Sequence, residues 1–469
     1  MNQNLFSEFS TGNVALGDAS QITKKDWLIQ VNKDLKGKNF ADTLVWQTSE
    51  NFAVQPYYAA EDVANLPIKA IQAVQKNASS GGWQNCPLLK YTDEKTTNAL
   101  IISYLKKGSD AVTIDFGEIT INEINFIKLL SNIKLSESPI YFKTFQGLDV
   151  LANLAKFVHY QPKGGFRGDI IARSFSTTTT IINQETWKNA KEIIKNTSQY
   201  PHFQAFSVES HVFHNAGANA VQELAFTLAS AITYLDQLTD LGLTIEEIVP
   251  KLEFSVSVGT NYFMEIAKLR ALRYLWSKIL ESYDCPLPTV PCSVHCQTSS
   301  FYEATLSPYT NMLRATTEAM SAVIGGCNSL TILPYDAVFG SDSQSDFSER
   351  IARNIALIMK EEAFFDKTND PAAGSYYIEN LTNQLATSAW ELCLKVENLG
   401  GILVAFQQGF IQSEIEKSYQ EKIKNLQNGK IMVGVNKFRV ETETTAKEQK
   451  EAVLQGNILQ NRRISEIYE

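Results

Sequence analysis

The chain has few cysteines, no long apolar run and no excess of positive charge. Six cysteines among 469 residues do not make a disulfide framework and are typical of reduced thiols, so we expect a cytoplasmic protein. The longest apolar runs fall well short of the roughly 20 residues that span a bilayer, which predicts no membrane partner. A net charge of −9 leaves no basic surface for nucleic acid.

Four residues near the middle of the chain raise the possibility of a metal site, because Cys285, Cys292, His295 and Cys296 follow one another closely. A structural zinc site uses two separated pairs of ligands, whereas these residues fall on one predicted strand and the loop before it. We therefore expect no metal on this chain.

Between residues 80 and 335, short apolar segments alternate with helical stretches. Eight such strands, each followed by a helix, predict an α/β fold built on a parallel (β/α)₈ TIM barrel. The predicted strands are Gly81–Asn85, Ala111–Phe116, Ile140–Lys143, Asp169–Ala172, Phe203–Val208, Leu252–Val258, Pro291–Gln297 and Ser329–Leu333. The clearest helices, from apolar residues at helical spacing, are Gln222–Leu238, Asn261–Glu281 and Glu379–Leu399.

Segments at both ends of the barrel predict appendages, with an N-terminal arm at 1–60, the barrel at 61–401 and a C-terminal helical extension at 402–469. The arm contains an amphipathic helix and then an extended stretch, and such an arm packs on a core or on a partner. Its apolar stripe is Trp27, Leu28, Val31 and Leu35. In the extension, a helix to about Gln427 precedes a predicted strand at Lys430–Phe438 and a charged tail from Glu441.

The predicted barrel strands carry small polar residues on one face, where ordinary barrels carry bulky branched ones. Ser255 and Ser257 alternate in one strand, and Ser293, His295 and Gln297 in another. We also expect polar residues after a third strand, at Ser174, Ser176 and Thr177–Thr180. Such a lining leaves an axial channel for a long polar ligand, or its side chains hydrogen-bond to loops and backbone groups. Periodicity favours neither interpretation.

Several motifs occur in one order along most of the chain. They are HNAGANAVQELAFTLA at 214–229, NYFMEIAKLRALRYLW at 261–276, HCQTS at 295–299, the stretch Asn311–Thr382 and GVNKFR at 434–439. Together they resemble the cobalamin-dependent acyl-CoA mutases of the methylmalonyl-CoA mutase family. The resemblance implies a barrel threaded by the pantetheine arm of an acyl-CoA. It also implies adenosylcobalamin stacked on one mouth, and a His and a Tyr that act on the substrate.

Two segments depart from the pattern of active family members. Those members have S-G-Y-H-x-x-E-A-G-A, where this chain has ESHVFHNAGA, so the resemblance places Val212 at the His position and His211 at the Tyr before it. WQNCPL places Leu88 at the position of the wedge Tyr and Cys86 at that of an Arg. Valine has no hydrogen-bond donor. Because neighbours on a strand point to opposite faces, we expect neither His211 nor His214 to replace the missing His.

The resemblance also predicts where the cofactor binds. Family members hold cobalamin through a His in D-x-H-x-x-G, but no His of this chain has Asp two positions before it. Ala337 stands where the family has a corrin-contacting Glu, and little sequence follows GVNKFR. We therefore expect adenosylcobalamin on a partner chain and none on this one.

Four retained residues predict a vestigial substrate pocket, unless they serve only to hydrogen-bond the barrel's loops. They are His295, Gln297, Asn328 and Ser329. Together these features predict the small, non-catalytic subunit of a heterodimeric methylmalonyl-CoA mutase, supporting a large catalytic subunit. The alternatives are an active barrel subunit that uses a separate cobalamin-binding chain, and a stand-alone acyl-CoA-binding protein.

Overall fold

The computed structural model describes residues 23–76, 82–285, 292–339, 345–439 and 458–469. The strands are β1 Trp46–Gln47, β2 Ala53–Val54, β3 Gln84–Asn85, β4 Leu88–Lys90, β5 Val112–Asp115, β6 Ile140–Lys143, β7 Gly164–Arg167, β8 Phe203–Gln204, β9 Phe206–Glu209, β10 Leu252–Val258, β11 Ser293–Thr298 and β12 Ser329–Thr331. The helices before residue 200 are α1 Lys24–Asp34, α2 Phe40–Leu44, α3 Ile68–Gln75, α4 Glu94–Lys106, α5 Phe126–Leu129, α6 Gly147–Leu154, α7 Ile170–Ser176 and α8 Gln184–Thr197. Those after it are α9 His211–Ala216, α10 Ala220–Asp240, α11 Ile245–Ile248, α12 Tyr262–Ser282, α13 Thr310–Ile324, α14 Asp346–Leu357, α15 Tyr376–Asn398, α16 Ile402–Gln407 and α17 Phe410–Gln427.

Strands β3–β12 form two five-stranded parallel sheets, in the orders β3-β12-β11-β10-β9 and β4-β5-β6-β7-β8. The sheets are joined through two interrupted strands, because only Cys86 and Pro87 separate β3 from β4 and only Ala205 separates β8 from β9. The Cys86 N–H donates to Leu330 on one side, and Pro87 accepts from the Thr113 N–H on the other, each at 2.9 Å. Eight strand positions therefore surround one axis, and the predicted TIM-barrel fold is confirmed.

The longest helices cover the outside of the sheet that contains β9–β12. Helices α10, α12 and α15 contact one another, and their apolar stripes join the same buried cluster as β9–β12. Between them lies Arg270, which is fully buried and pairs with Asp370 and, at 2.8 Å, with Glu379. The predicted helices at these three places are confirmed.

Two predicted strands are wrong. Residues Asp169–Ala172 were expected to form a strand, but Asp169 caps α7 by accepting the Ile171 N–H at 2.9 Å. The strand at this place in the barrel is β7, which ends two residues before Asp169. Strand β7 begins on Gly164, where an added Cβ would lie 1.9 Å from the Ile140 carbonyl oxygen, so the strand has no apolar alternation to reveal it. Residues Lys430–Phe438 form turns with a single bridge. Ser174 and Ser176 consequently lie on α7 rather than after a strand.

The described part of the N-terminal arm has the predicted elements. The predicted stripe is the half-buried side of α1, and β1 pairs with β2 antiparallel. Lys24 ties α1 to the barrel domain through an ion pair with Asp62 at 2.5 Å. Residues 1–22, the strand ends Gly81 and Pro291, and the predicted tail through residue 457 lie outside the described ranges. The domain boundaries stay predictions. None of the described helices is long and apolar enough to cross a membrane.

The last described segment, residues 458–469, crosses one end of the barrel. Its backbone N–H groups at Leu459, Arg462 and Ile464 donate to carbonyl oxygens of α7, α9 and the loop after β11, at 2.7, 2.8 and 3.0 Å. Arg462 also pairs with Glu416 of α17 at 2.6 Å. The segment is therefore held at several points over the carboxyl ends of the strands.

The Arg270 ion pair gives a test of the helical layer. We expect Glu379→Ala to lower the free energy of unfolding by about 3–5 kcal/mol, because it removes the fully buried one of the two carboxylates that pair with the buried Arg270 guanidinium. The matched control is Glu281→Ala, which breaks an exposed pair with Lys278 and is expected to cost about 1 kcal/mol or less. Urea unfolding of both variants measures the difference, and equal losses would contradict the assignment.

Candidate functional site

A cavity of about 330 Å³ opens at the carboxyl ends of the barrel strands. Side chains at the ends of β6, β9 and β11 line it, and Asn461 of the C-terminal segment forms part of its rim. In TIM barrels this end carries the active site, because the loops there vary without disturbing the sheet. We call this cavity the mouth cavity.

At the floor of the mouth cavity, one ion pair lies inside the barrel. Arg167 at the end of β7 pairs with Glu253 of β10, with Nε 2.9 Å from Oε2, and both side chains are buried. The same guanidinium donates to Thr113 Oγ1 at 2.6 Å and to Ser329 Oγ at 2.8 Å, and it stacks on the Tyr141 ring at 3.7 Å. Contacts to four other strands thus fill the interior at this level.

A chain of hydrogen bonds lies next to this ion pair. His211 contacts Ser257 through Nδ1 at 2.7 Å and Ser255 through Nε2 at 2.8 Å. Ser255 also contacts His295 Nδ1 at 2.8 Å, and His295 Nε2 contacts Thr331 at 2.9 Å. Thr331 then donates to the Cys86 carbonyl oxygen at 2.6 Å.

The carbonyl at the end of this chain sets its direction. Burial lowers the pKa of His211 to about 3 and also lowers the pKa of His295, so both rings are neutral near pH 7. Because Thr331 gives its proton to a carbonyl, His295 must donate from Nε2 and accept at Nδ1 from Ser255. His211 then donates from Nε2 to Ser255 and accepts at Nδ1 from Ser257. Each imidazole N–H is therefore already used inside the protein.

Most of the charged groups around the mouth cavity form ion pairs, whereas Asp169 and Glu209 form none with a described residue. Lys143 lies 2.9 Å from Asp115, and although burial opposes its charge, Asp115 and Glu209 raise the pKa of this lysine. Burial and the nearby Glu209 raise the pKa of Asp169 to about 7. Arg173 pairs with Glu118 at 2.7 Å. The site is polar, and each of its cations, Lys143, Arg167 and Arg173, forms an ion pair within the chain.

The predicted pocket residues lie in three places. His295 and Gln297 line the mouth cavity, and Ser329 lies deeper, where it accepts from Arg167. Asn328 precedes β12 at the opposite end of the barrel, and its Oδ1 accepts the Val294 N–H at 2.9 Å. These four residues therefore do not form one pocket. His295 is also bonded through both nitrogens to hydroxyl groups, away from the neighbouring cysteines, and the described residues contain no group of three metal-binding side chains.

Val212 and His211 occupy the first turn of α9 rather than a strand, and both line the mouth cavity. The expectation that they point to opposite faces is therefore wrong, because it assumed strand geometry. Leu88 also lines the cavity, and Cys86 is buried with its Sγ 3.3 Å from Arg167 Nη1. His214 lies elsewhere, buried between Glu223 and Ser299 at 2.7 and 2.6 Å.

Comparison with known proteins decides the family. Residues 146–468 match the family model described as methylmalonyl-CoA mutase. The chain belongs to the methylmalonyl-CoA mutase family.

Its relatives include proteins of different lengths. The chain is 32% identical to a methylmalonyl-CoA mutase small subunit of Porphyromonas gingivalis, over 94% of this chain and 72% of that protein. It is 32% identical to a methylmalonyl-CoA mutase of Cereibacter sphaeroides and 30% identical to the human mitochondrial one, each over 89% of this chain. The chain spans 64% and 61% of those two mutases, less than two thirds of their length.

The ion pair between Arg167 and Glu253 inside the barrel was not predicted from the sequence. Glu253 alternates with Ser255 and Ser257 in one strand, so the period of two could have placed its carboxylate inside the barrel. Arg167 gave no such signal, because the strand that carries it was not predicted.

The neutral state of His211 gives a pH test. Its folded pKa of about 3 lies below the ordinary value of about 6.5, so the unfolded chain takes up a proton first as the pH falls. The neutral ring therefore contributes stability above about pH 6.5, and this is lost as the pH falls towards the folded pKa. Relative to His211→Gln, we expect the wild type to lose about 1 kcal/mol between about pH 6.5 and 5.5.

Urea unfolding of both proteins at each pH measures this difference, and the other titrating groups, including His295, are common to both and cancel. A difference that does not change with pH would contradict a neutral, half-buried His211.

Proposed function

We propose that this chain is the small, non-catalytic subunit of a heterodimeric, adenosylcobalamin-dependent methylmalonyl-CoA mutase. In this proposal a large subunit carries the catalytic residues and the cofactor and interconverts methylmalonyl-CoA and succinyl-CoA. The similarity to a small subunit over 94% of this chain supports the assignment.

The observation that carries the proposal is the chemistry at Val212. By the family resemblance this residue stands where the carbonyl-binding His stands, and it lines the mouth cavity. An isopropyl group cannot donate a hydrogen bond to a thioester. The neighbouring His211 ring does not compensate, because its N–H is used by Ser255. A substrate carbonyl here would meet no free imidazole donor from either residue.

The barrel axis gives a second argument. An acyl-CoA arm threaded along the axis would have to displace Arg167 and Glu253, which contact each other and three further strands. Removing one partner of a buried, hydrogen-bonded ion pair costs about 3–5 kcal/mol, so such an opening is unfavourable. This supports a barrel that serves as a scaffold.

The residues at the mouth do not fit a cobalamin. The segment from Leu459 to Ile464 is hydrogen-bonded across this end of the barrel, where a stacked corrin would have to lie. The mouth cavity of about 330 Å³ is at the lower end of the range for sites that hold drug-sized molecules, and a cobalamin is several times larger. We therefore assign adenosylcobalamin to the partner subunit.

The N-terminal arm is the proposed contact with the large subunit. Three of its large apolar residues, Ile29, Trp46 and Tyr57, each expose more than two fifths of their surface to solvent. Large apolar side chains on a surface favour burial against a partner. Tyr377 contacts both Tyr58 of the arm and Phe263. Phe263 and Tyr376, at the starts of α12 and α15, are also exposed. An apolar surface of this kind fits a protein partner better than it fits solvent.

Reconstitution with the large subunit of the source organism tests the proposal. We expect mutase turnover to need both chains and to stay within about twofold of wild type when this chain carries Val212→Ala or His211→Gln, since neither side chain touches substrate. Size-exclusion chromatography confirms that each variant still assembles. A large loss of turnover in an assembled complex would favour the alternative of an active barrel. Turnover with only a separate cobalamin-binding chain would overturn the proposal.

A further inference from the structure

A second cavity, of about 360 Å³, lies beside the mouth cavity. It is enclosed by α4, α14 and the loops that follow β5 and β12, and Leu88 and Glu118 line both cavities. Its walls are mainly apolar, with Phe116, Ile332 and Leu333 among them. We call it the α14 cavity.

One cation on the wall of the α14 cavity, Arg353, forms no ion pair with any residue that the structure describes. Arg353 of α14 is only 8% exposed, yet its guanidinium donates no hydrogen bond to any described residue and forms no ion pair with one. It is held by stacking over the Tyr104 ring at 5.0 Å, which leaves its donors unused. A buried, unpaired guanidinium is costly, and proteins normally place an anion against it.

The carboxylates on the same walls are engaged elsewhere. Glu349 accepts from the Tyr104 hydroxyl, Asp115 pairs with Lys143 at 2.9 Å, and Glu118 pairs with Arg173 at 2.7 Å. Their negative charge weakens the attraction of any anion for this cavity, but none of them forms an ion pair with Arg353. The donors of this one side chain are therefore the feature that a ligand can use.

We propose that the α14 cavity binds a small organic carboxylate with a compact apolar body. The carboxylate would pair with the planar guanidinium of Arg353, which matches two oxygens at once. The apolar body would contact Phe116, Leu333 and their neighbours. A phosphate group fits less well, because apolar walls cannot satisfy its remaining oxygens. The site is independent of the proposed subunit role.

Binding of benzoate to the purified full-length chain tests the site, with benzamide as a neutral probe of the same shape. We expect benzoate at millimolar concentration to give saturation-transfer NMR signals and to raise the thermal unfolding midpoint. Benzamide should do neither. No benzoate binding in this range, or equal binding of the two probes, would overturn the proposal.

Variants locate the binding. We expect Arg353→Met to weaken benzoate binding about tenfold or more, because it removes a charge-assisted hydrogen bond. The matched control, Arg350→Met, removes an exposed arginine of the same helix and should change affinity less than about twofold. Leu333→Trp fills the cavity without altering its charge and should also abolish binding, which keeps the test decisive if Arg353→Met does not fold. Full affinity in Leu333→Trp, or equal losses in both arginine variants, would place benzoate elsewhere.

Discussion

The ion pair between Arg167 and Glu253 is the interaction on which the inside of this barrel depends. Two opposite charges in a protein interior are stable only when their remaining donors and acceptors are satisfied. Here Thr113, Ser329 and the ring of Tyr141 satisfy the guanidinium from separate strands. Small polar residues on the strands are therefore needed to hold the pair, and bulky branched ones would leave it unsatisfied.

The need to satisfy buried donors and acceptors also applies to the side chains at the barrel mouth. The hydrogen-bond chain from Ser257 through the two imidazoles ends on the backbone of the interrupted first strand, at Cys86. Each donor has one acceptor, so the chain orders the side chains above the ion pair as well as beside it. This internal pairing stabilises the barrel, because every polar group in the interior needs a partner. The polar lining that first raised the possibility of a channel is satisfied within the chain at these positions.

The barrel could be predicted from the sequence because short apolar strands alternate with helices along the chain. Strands β6 and β10 were predicted with their observed bounds, since each is a short apolar-rich run between loops. Strand β7 was missed because two glycines open it, and the apolar residues after Asp169 belong to a capped helix. The strand predicted at Lys430–Phe438 had suitable residues, but a tertiary context of turns overrides that local preference. The placement of His211 depended on where β9 ends, which periodicity does not fix. Arg353 could not be found from sequence, since an arginine on a helix is usually solvated.

The most direct test of the account is to mix the isolated chain with adenosylcobalamin and methylmalonyl-CoA. After gel filtration, corrin absorbance in the protein fraction and succinyl-CoA formation are measured together. The account predicts no co-eluting corrin and no product from this chain alone, with both appearing once the large subunit is added. Stoichiometric corrin on the isolated chain, or succinyl-CoA formed without the large subunit, would contradict it.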